Sequence, residues 1–329
     1  MKEFTIGQED ASQRLDKYLR RLLPQAAGGF LYKLLRKKSI TLNGRRTEGS
    51  VRLQPGDVVR LYVSDETFGR FAGHEDADTA YEAYRRLTPQ LAVVYEDDAI
   101  LAVNKPAGLL SQKARPSDIS LNELVIAYLI KSGSLTKAQY AAFHPSVMNR
   151  LDYGTSGIVL AAKTLAGARY LAEGIASRSI EKEYLCLVDG AFTAEGRMVS
   201  YSKKDTSANT VTLYDEPVPE AVRIETEYAV LRRENGCTLV RARLITGKSH
   251  QIRAQLAANG HPILLDKKYG EPEVNRRCPV SYPGQMLHAY RVRFADGLSI
   301  TAEPPEIFHE VLEKMGCHAK IIGELAPFE

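Results

Sequence analysis

Asp152 sits in the run Asn149-Arg150-Leu151-Asp152-Tyr153-Gly154-Thr155-Ser156-Gly157, directly ahead of the apolar stretch Ile158-Val159-Leu160-Ala161-Ala162. An acid at the edge of a buried strand, with Arg150 beside it, is oddly placed for a solvated charge. Carboxylates near a core cost free energy unless something pairs or hydrogen-bonds them. Held in that way, a carboxylate can act as a base or a nucleophile. The plainer reading is a turn cap, because Asp and Gly are favoured in turns and Asp bonds its own backbone. Taken alone, the local sequence favours the cap.

A second dense group is Leu244-Ile245-Thr246-Gly247-Lys248-Ser249-His250-Gln251-Ile252-Arg253-Ala254-Gln255-Leu256. A strand ends at the Thr246-Gly247 turn. Ser249 is placed to cap a helix that carries His250 and Arg253 at i, i+3, so these two share a face near its start. An amphipathic helix with its polar residues outward explains the same pattern, and the segment by itself does not separate the readings. Metal chemistry has less support. The seven histidines form no HExxH and no close pair at ligand spacing. Cys186, Cys237, Cys278 and Cys317 lie about forty to fifty residues apart, which fits no zinc knuckle or CxxC redox motif.

The elements that must carry these groups are legible from residue 91 onward. Leu91-Ala92-Val93-Val94-Tyr95 and Ala99-Ile100-Leu101-Ala102-Val103 are strands about the turn Glu96-Asp97-Asp98, and Asn104-Lys105-Pro106-Ala107-Gly108 ends the second. Ser120-Leu121-Asn122-Glu123 reads as a capping box opening a helix to about residue 130. Residues 158–162 form a buried strand and residues 164–176 a helix. Residues 184–188, 223–231 and 238–244 are further strands, and Gly260 terminates the helix that carries Arg253. Hairpin-linked strands with helices inserted between some of them fit a mixed sheet better than a doubly wound parallel one.

The first 63 residues differ in charge. They hold 13 Lys/Arg against 6 Asp/Glu, whereas the other 266 hold 31 against 34. Leu15, Tyr18, Leu19 and Leu22 form one helical stripe with Arg14, Lys17, Arg20 and Arg21 off it; Ser12 is the expected N-cap and Pro24 the stop. Residues 30–38 repeat the pattern, setting Leu31, Leu34 and Leu35 against Lys33, Arg36, Lys37 and Lys38. A strand over residues 39–42 ends in the Asn43-Gly44 turn beside Arg45 and Arg46, and residues 53–63 supply another turn and a returning strand. A patch of one sign spread over both helices and the turn is a footprint for a phosphate backbone. Residues 64–88, with the acidic run His74-Glu75-Asp76-Ala77-Asp78, read as a linker with a short helix at 81–87. No apolar stretch is long enough to span a bilayer, no lipidation signal is present, and Met1-Lys2-Glu3-Phe4 opens no secretory leader. A cytoplasmic protein with reduced thiols and no membrane partner is expected.

The phrase RLDKYL…LLRKKSITLNGRR…LQPGDVVRL over residues 12–63 resembles the S-four type (αL) RNA-binding domain. Asn-Arg-Leu-Asp-x-x-Thr-Ser-Gly at 149–157 and Thr-Gly-Lys-x-His-Gln-Ile-Arg at 246–253 resemble the signature motifs of the RluA-type pseudouridine synthases. So do YEDDAILAVNKPAG at 95–108, KEYLCLVDG at 182–190, GHPILLDKKYG at 260–270 and LHAYRVRF at 287–294. The match runs in the family's order through about residues 90–300. It implies an α+β chain: an αL RNA-binding domain at 1–63, a linker at 64–88, and at 89–329 a catalytic domain of the pseudouridine synthase fold, built on a mixed, mainly antiparallel β-sheet.

The resemblance implies isomerisation of uridine in RNA to pseudouridine. The N1–C1′ bond breaks, the uracil turns, C5 bonds to C1′, and the proton on C5 leaves. Nothing is oxidised, so no cofactor and no metal is expected. Asp152 is the implied catalytic carboxylate, adding to the sugar, attacking the base or removing a sugar proton; the sequence leaves these three open. Arg253 is implied as the cation that keeps it charged. Tyr184 is implied as an aromatic that stacks on the uracil and takes the C5 proton, although by itself it reads as a half-buried strand residue. Arg150 is implied to reach into the RNA and hold the place of the extruded nucleotide, whose extraction costs about a few kcal/mol. Thr155, Lys182, Lys248 and His250 are implied as further RNA contacts or supports. Arg14, Lys17, Lys33, Lys37, Arg45 and Arg46 are the RNA contacts expected of the N-terminal module, giving salt-dependent affinity and shape recognition more than base readout.

Three positions depart from the commonest family pattern: Asn149 where His is more frequent, Lys248 where Arg is usual, and Gln255 where His is usual. They bear on RNA contacts and target, since Lys lacks the bidentate fork of Arg. The expected partner is RNA, namely 23S rRNA or a ribosomal assembly intermediate, bound by a monomer. A tRNA target is one alternative. A ribosome- or RNA-binding factor without catalysis is the other, and the intact Asp152, Tyr184 and Arg253 argue against it.

Overall fold

The computed structural model describes residues 1–7, 10–72, 77–205, 209–234, 236–278 and 280–314. It divides into two compact units, Met1–Glu82 and Ala83–Glu329. Cys317 and His74-Glu75-Asp76 of the acidic run lie outside the described residues.

The first unit contains β1 (Lys2–Thr5), α1 (Leu15–Leu22), α2 (Gly28–Arg36), β2 (Ile40–Leu42), β3 (Val58–Leu61) and α3 (Asp65–Ala72). The strands form an antiparallel sheet in the order β1-β3-β2. The apolar stripes of both helices, Leu15, Tyr18 and Leu19 with Leu31 and Leu35, are buried with Ile40, Val59 and Leu61. At the turn after β2, Asn43 (φ 52°) and Gly44 (φ 73°) are both left-handed, and Leu42 and Arg45 exchange both backbone hydrogen bonds. That is the hairpin geometry an Asn-Gly pair favours. Two expectations are corrected. Ser12 does not cap α1: it lies at φ 66°, and the N-cap position is Arg14, which makes no side-chain cap bond. Within the segment read as a linker, Asp65–Ala72 is a helix that was not expected, and the short helix expected at 81–87 falls in a helix over Ala77–Arg86. Phe68 and Phe71 of α3 pack on Phe4 and Phe30, with ring centroids 5.9 and 4.5 Å apart. Two apolar rings three residues apart outweigh the polar, glycine-flanked surroundings that suggested a linker.

The second unit begins within α4 (Ala77–Arg86). Its strands are β4 (Ala92–Glu96), β5 (Ile100–Lys105), β6 (Ser146–Val147), β7 (Ser156–Ala162), β8 (Glu181–Asp189), β9 (Gly196–Asp205), β10 (Thr210–Tyr214), β11 (Val222–Glu234), β12 (Cys237–Leu244), β13 (Leu287–Arg293) and β14 (Ser299–Thr301). Its helices are α5 (Leu121–Lys131), α6 (Lys137–Ala142), α7 (Leu165–Ser177), α8 (Gln251–Ala258), α9 (Pro272–Arg277) and α10 (Glu306–Lys314). One sheet runs β10-β9-β11-β12-β8-β13-β7-β5-β4, with β14 on β13 and β6 on β7. Every pairing among the described residues is antiparallel except β7 with β13. The fold is therefore the mixed, mainly antiparallel α+β architecture that the sequence implies.

All seven residues of β7 are buried, which is why its residues 158–162 are an unbroken apolar run rather than an alternating one. Ile100, Ala102, Ile158 and Leu160 meet Leu171 of α7 in one cluster. Glu123 accepts the Ser120 backbone N–H at 2.9 Å at the start of α5, and Thr164 accepts the Gly167 N–H at 3.1 Å at the start of α7. Gly157 (φ 114°) is required where β7 meets β13, because a Cβ there would run into the backbone of Ala289. The edge strand β10, its neighbour β9 and the central β13 were not foreseen as elements. Cys186, Cys237 and Cys278 are buried and form no disulfide among the described residues.

Candidate active site

Asp152 stands in the loop between β6 and β7, and the loop is pinned from both sides. The Ser111 hydroxyl accepts the Leu151 N–H at 3.0 Å and donates to the Leu151 carbonyl at 2.9 Å. The Gly108 N–H donates to the Tyr153 carbonyl at 2.8 Å, and the Thr155 N–H closes a turn on the Asp152 carbonyl at 3.0 Å. On the other side, Gln285 donates its side-chain amide to the Thr155 hydroxyl at 2.6 Å and its backbone N–H to the Gly154 carbonyl at 3.2 Å. Asp152 is thus a turn residue, as its sequence suggested. Its carboxylate, however, points outward and is 29% exposed.

One of its oxygens receives Arg253 Nη1 at 2.6 Å. The rest of that guanidinium is held from behind by Asp266, a fully buried residue, through Nε–Oδ2 at 2.7 Å and Nη2–Oδ1 at 2.9 Å. Asp266 also accepts the N–H groups of Lys268 (2.9 Å) and Tyr269 (3.1 Å). Burial pushes its carboxyl up, but the bonds and charge of Arg253 and these two N–H groups outweigh burial and leave it below its ordinary value. Burial alone would lower the Arg253 pKa. Asp266 first and then Asp152 reverse this and raise it, so the guanidinium is always charged. A bidentate fork on one side and a single N–H on the other is an arrangement that only Arg can make.

His250 faces the second Asp152 oxygen, with Nε2 4.0 Å away. It does not lie in α8 as expected. It is the residue before α8, left-handed at φ 54°, and Ser249 makes no cap. Tyr269 Oη lies 2.8 Å from His250 Nδ1 and accepts the Val211 N–H at 2.8 Å. Burial, with Arg253 and Lys268, lowers the His250 pKa against the opposing pull of Asp152 and Asp266, so the neutral ring prevails at neutral pH.

Two further groups stand near the carboxylate. The ring of Tyr184, on β8, is 6% exposed; burial, and then the Asp152 charge, push its phenol above the ordinary value. Lys105, at the end of β5, is completely buried, with Nζ donating to the carbonyls of Pro106 (2.8 Å) and Leu109 (2.9 Å). Burial pushes Lys105 down to about 7, against the Asp152 charge. Lys105, Asp266, Tyr269 and Gln285 were missed as site residues. The first three lie in motifs that the sequence exposed, NKPAG and LLDKKYG, and for Lys105 and Asp266 a charge beside an apolar run was the available signal.

Asp152, Tyr184, Arg253, Arg150, Thr155, Lys182, Lys248 and His250 all line one cleft of about 820 Å³. Lys113, Lys204, Lys267 and Lys268 line it as well, so eight cationic side chains surround Asp152, the one carboxylate among the described lining residues. Thr155 is buried and its hydroxyl is taken by Gln285, so it supports the turn rather than offering a contact. The departures at Asn149 and Gln255 have structural explanations. Asn149 bonds the Leu160 N–H (2.7 Å) and the Ile158 carbonyl (3.3 Å). Gln255 is fully buried and accepts from Thr226 (2.6 Å) and Tyr228 (3.3 Å). In the first unit, Lys17, Lys33, Lys37, Arg45 and Arg46 are exposed. Arg14 is exposed but is engaged by Asp16 at 2.8 and 3.1 Å.

Residues 99–258, which carry most of this site, match the family model for RNA pseudouridylate synthase. A protein of Haemophilus influenzae named ribosomal large subunit pseudouridine synthase C is 29% identical over 299 residues, covering 89% of this chain and 87% of its own. An uncharacterized RNA pseudouridine synthase of Mycoplasma genitalium is also 29% identical, over 89% of this chain and 88% of its own. Among solved structures, human RNA pseudouridylate synthase domain containing 4 superposes with a TM-score of 0.55 at 19% identity, over 73% of this chain and 97% of its own, a likeness of fold. Over residues 99–258 the chain is thus similar to the RNA pseudouridylate synthase family, and its motif order and mainly antiparallel sheet agree with that likeness.

Proposed function

We propose that this protein converts uridines of large-subunit ribosomal RNA to pseudouridine, with Asp152 as the reacting carboxylate. The observation that carries the reading is the setting of Asp152, gripped by Arg253 and ringed by cations in a cleft large enough for a nucleotide. The cations suit the phosphates on either side of an extruded uridine. Ribosomal RNA as the target is supported by the printed names of the relatives from Haemophilus influenzae and Escherichia coli, the latter 28% identical over 297 residues. Exposed Lys17, Lys33, Lys37, Arg45 and Arg46 support the first unit as an S-four type RNA-binding module. No helix among the described residues is long and apolar enough to cross a membrane. A monomer working in the cytoplasm completes the reading.

The reaction balances within the nucleotide: the N1–C1′ bond breaks, the C5–C1′ bond forms, and the C5 proton is exchanged for one on N1. Asp152 meets the sugar–base junction at the oxygen not held by Arg253. Tyr184 supplies a ring face against the uracil. Its raised phenol pKa keeps it protonated near neutral pH, so Tyr184 is a stacking residue and the C5 proton leaves to water or to the Asp152 carboxylate. Pseudouridine mapping of ribosomal and transfer RNA from cells lacking the gene, complemented with wild type or Asp152→Ala, tests this. Loss of a large-subunit site that only wild type restores is expected. If every site persists on deletion, or Asp152→Ala restores them all, the enzymatic reading is wrong. A lost tRNA site instead would move the target.

A further inference from the structure

Tyr153 follows Asp152 in the turn and takes no part in the chemistry above. It is 55% exposed, yet it is a large aromatic residue at the most constrained point of the loop. Its carbonyl accepts the Gly108 N–H at 2.8 Å and faces Lys105 Nζ at 3.5 Å. The Thr155–Asp152 hydrogen bond of 3.0 Å closes the turn around it. Its hydroxyl lies 3.9 Å from the point where a Cβ on Gly108 would stand, and Pro283 is 3.3 Å from the same point. A Cβ at residue 108 would crowd Pro283 and stand at ordinary contact distance from the Tyr153 hydroxyl, so Tyr153 lies against the Gly108 turn.

The ring also lines the cleft, in the company of Arg150 and Lys113. Cations there answer phosphates, but an open apolar face among them does not. Exposed aromatic surface on a rigid backbone loses little conformational freedom on binding, and its complement beside a phosphate chain is the π-face of a base. When one uridine leaves its stack for the Asp152 cleft, the base next to it loses a stacking partner at the cleft mouth.

We propose that Tyr153 is a stacking platform for the nucleobase adjacent to the uridine that enters the cleft, and so helps determine which RNA is accepted. The proposal rests on the reading of this cleft as an RNA site. Base–aromatic stacking of ordinary strength corresponds to about 5- to 150-fold in affinity.

The test uses the full chain and a single-stranded oligouridylate carrying one 2-aminopurine, whose fluorescence is quenched on stacking. Wild type is expected to quench it. Tyr153→Ala and Tyr153→Leu should bind about 5- to 150-fold more weakly and lose most of the quench, while Tyr153→Phe restores both. The side chain is exposed, so thermal melts of the variants should overlay wild type. A second arm follows tritium release from large-subunit ribosomal RNA transcribed with [5-³H]uridine, where the Tyr153→Ala loss should fall on KM rather than kcat. Equal quench and equal affinity in Tyr153→Ala overturn the proposal, as does an equal loss in Tyr153→Phe. The two readings fail separately. Wild type that releases no tritium but shows Tyr153-dependent quench sinks catalysis and keeps the platform. Tritium release indifferent to Tyr153→Ala sinks the platform and keeps catalysis.

Discussion

Replacing Asp266 by Asn tests whether the Asp152–Arg253 contact is set from behind. Asp266 accepts four hydrogen bonds from a fully buried position, two of them from Arg253. An Asn offers one acceptor oxygen, enough for the Lys268 and Tyr269 N–H groups, and turns its NH₂ against the guanidinium donors. Arg253, 7% exposed, is then left with Asp152 as its carboxylate partner. Breaking a buried ion pair from one side costs about 3–5 kcal/mol. In a unit of this size each kcal/mol moves Tm by about 2–4 °C, so a fall of about 6–20 °C is expected. A guanidinium free to shift by about 1 Å also misplaces Asp152, an error worth about 100-fold in kcat/KM. The stability loss carries a pH signature. The folded Asp266 carboxyl titrates below its ordinary value of 3.8, so its contribution is complete above that pH and disappears as pH falls through the folded value. The Tm gap between wild type and Asp266→Asn should therefore be level from about pH 5 to 8 and narrow below about pH 4. Calorimetric melts across pH, with tritium release at pH 7, check both halves. A variant that melts within about 2 °C of wild type at pH 7 and turns over normally refutes the argument.

Lys105→Met should change the slope of stability against pH. The folded amine at about 7 lies below its ordinary 10.5, so the fold binds fewer protons than the unfolded chain between those values and wild-type stability rises with pH across that window. Melts from pH 6 to 9.5 should show the rise in wild type and a flatter line in the variant; parallel curves would count against a neutralised Lys105. Gly157→Ala pushes a Cβ into the Ala289 backbone and should cost at least about 4 kcal/mol, read as loss of the cooperative melt by circular dichroism. Replacing Arg45 and Arg46 by Glu should lower the slope of log affinity against log salt by about 1.5 for ribosomal RNA, because each phosphate contact contributes about 0.7–0.9. An unchanged slope would remove the Asn43-Gly44 turn from the RNA contacts.

Much of the architecture could be read one element at a time. The buried strand at β7, the capping residues Ser120 and Thr164, the Asn43-Gly44 hairpin and the strands at 184–188 and 238–244 each carry a short-range signal in periodicity or turn chemistry. The helix α3 was hidden because its anchoring contacts, Phe68 on Phe4 and Phe71 on Phe30, are made with residues far away in the chain. The cap on α8 was misplaced by one residue because the left-handed His250 is held by Tyr269, nineteen residues on.

The sequence by itself singled out the side chains on which the proposed chemistry rests. Asp152, Arg253 and Tyr184 were all named from motifs, and the basic first unit was visible in its charge count. Only the tertiary structure decided how they work together. A carboxylate and a guanidinium 101 residues apart meet at 2.6 Å because β7 and α8 lie on one sheet, and a buried Asp266 orients the guanidinium from the far side. Local pattern reports what a residue can do next to its neighbours. The charge state, direction and partners of a buried group depend on what long-range packing brings against it.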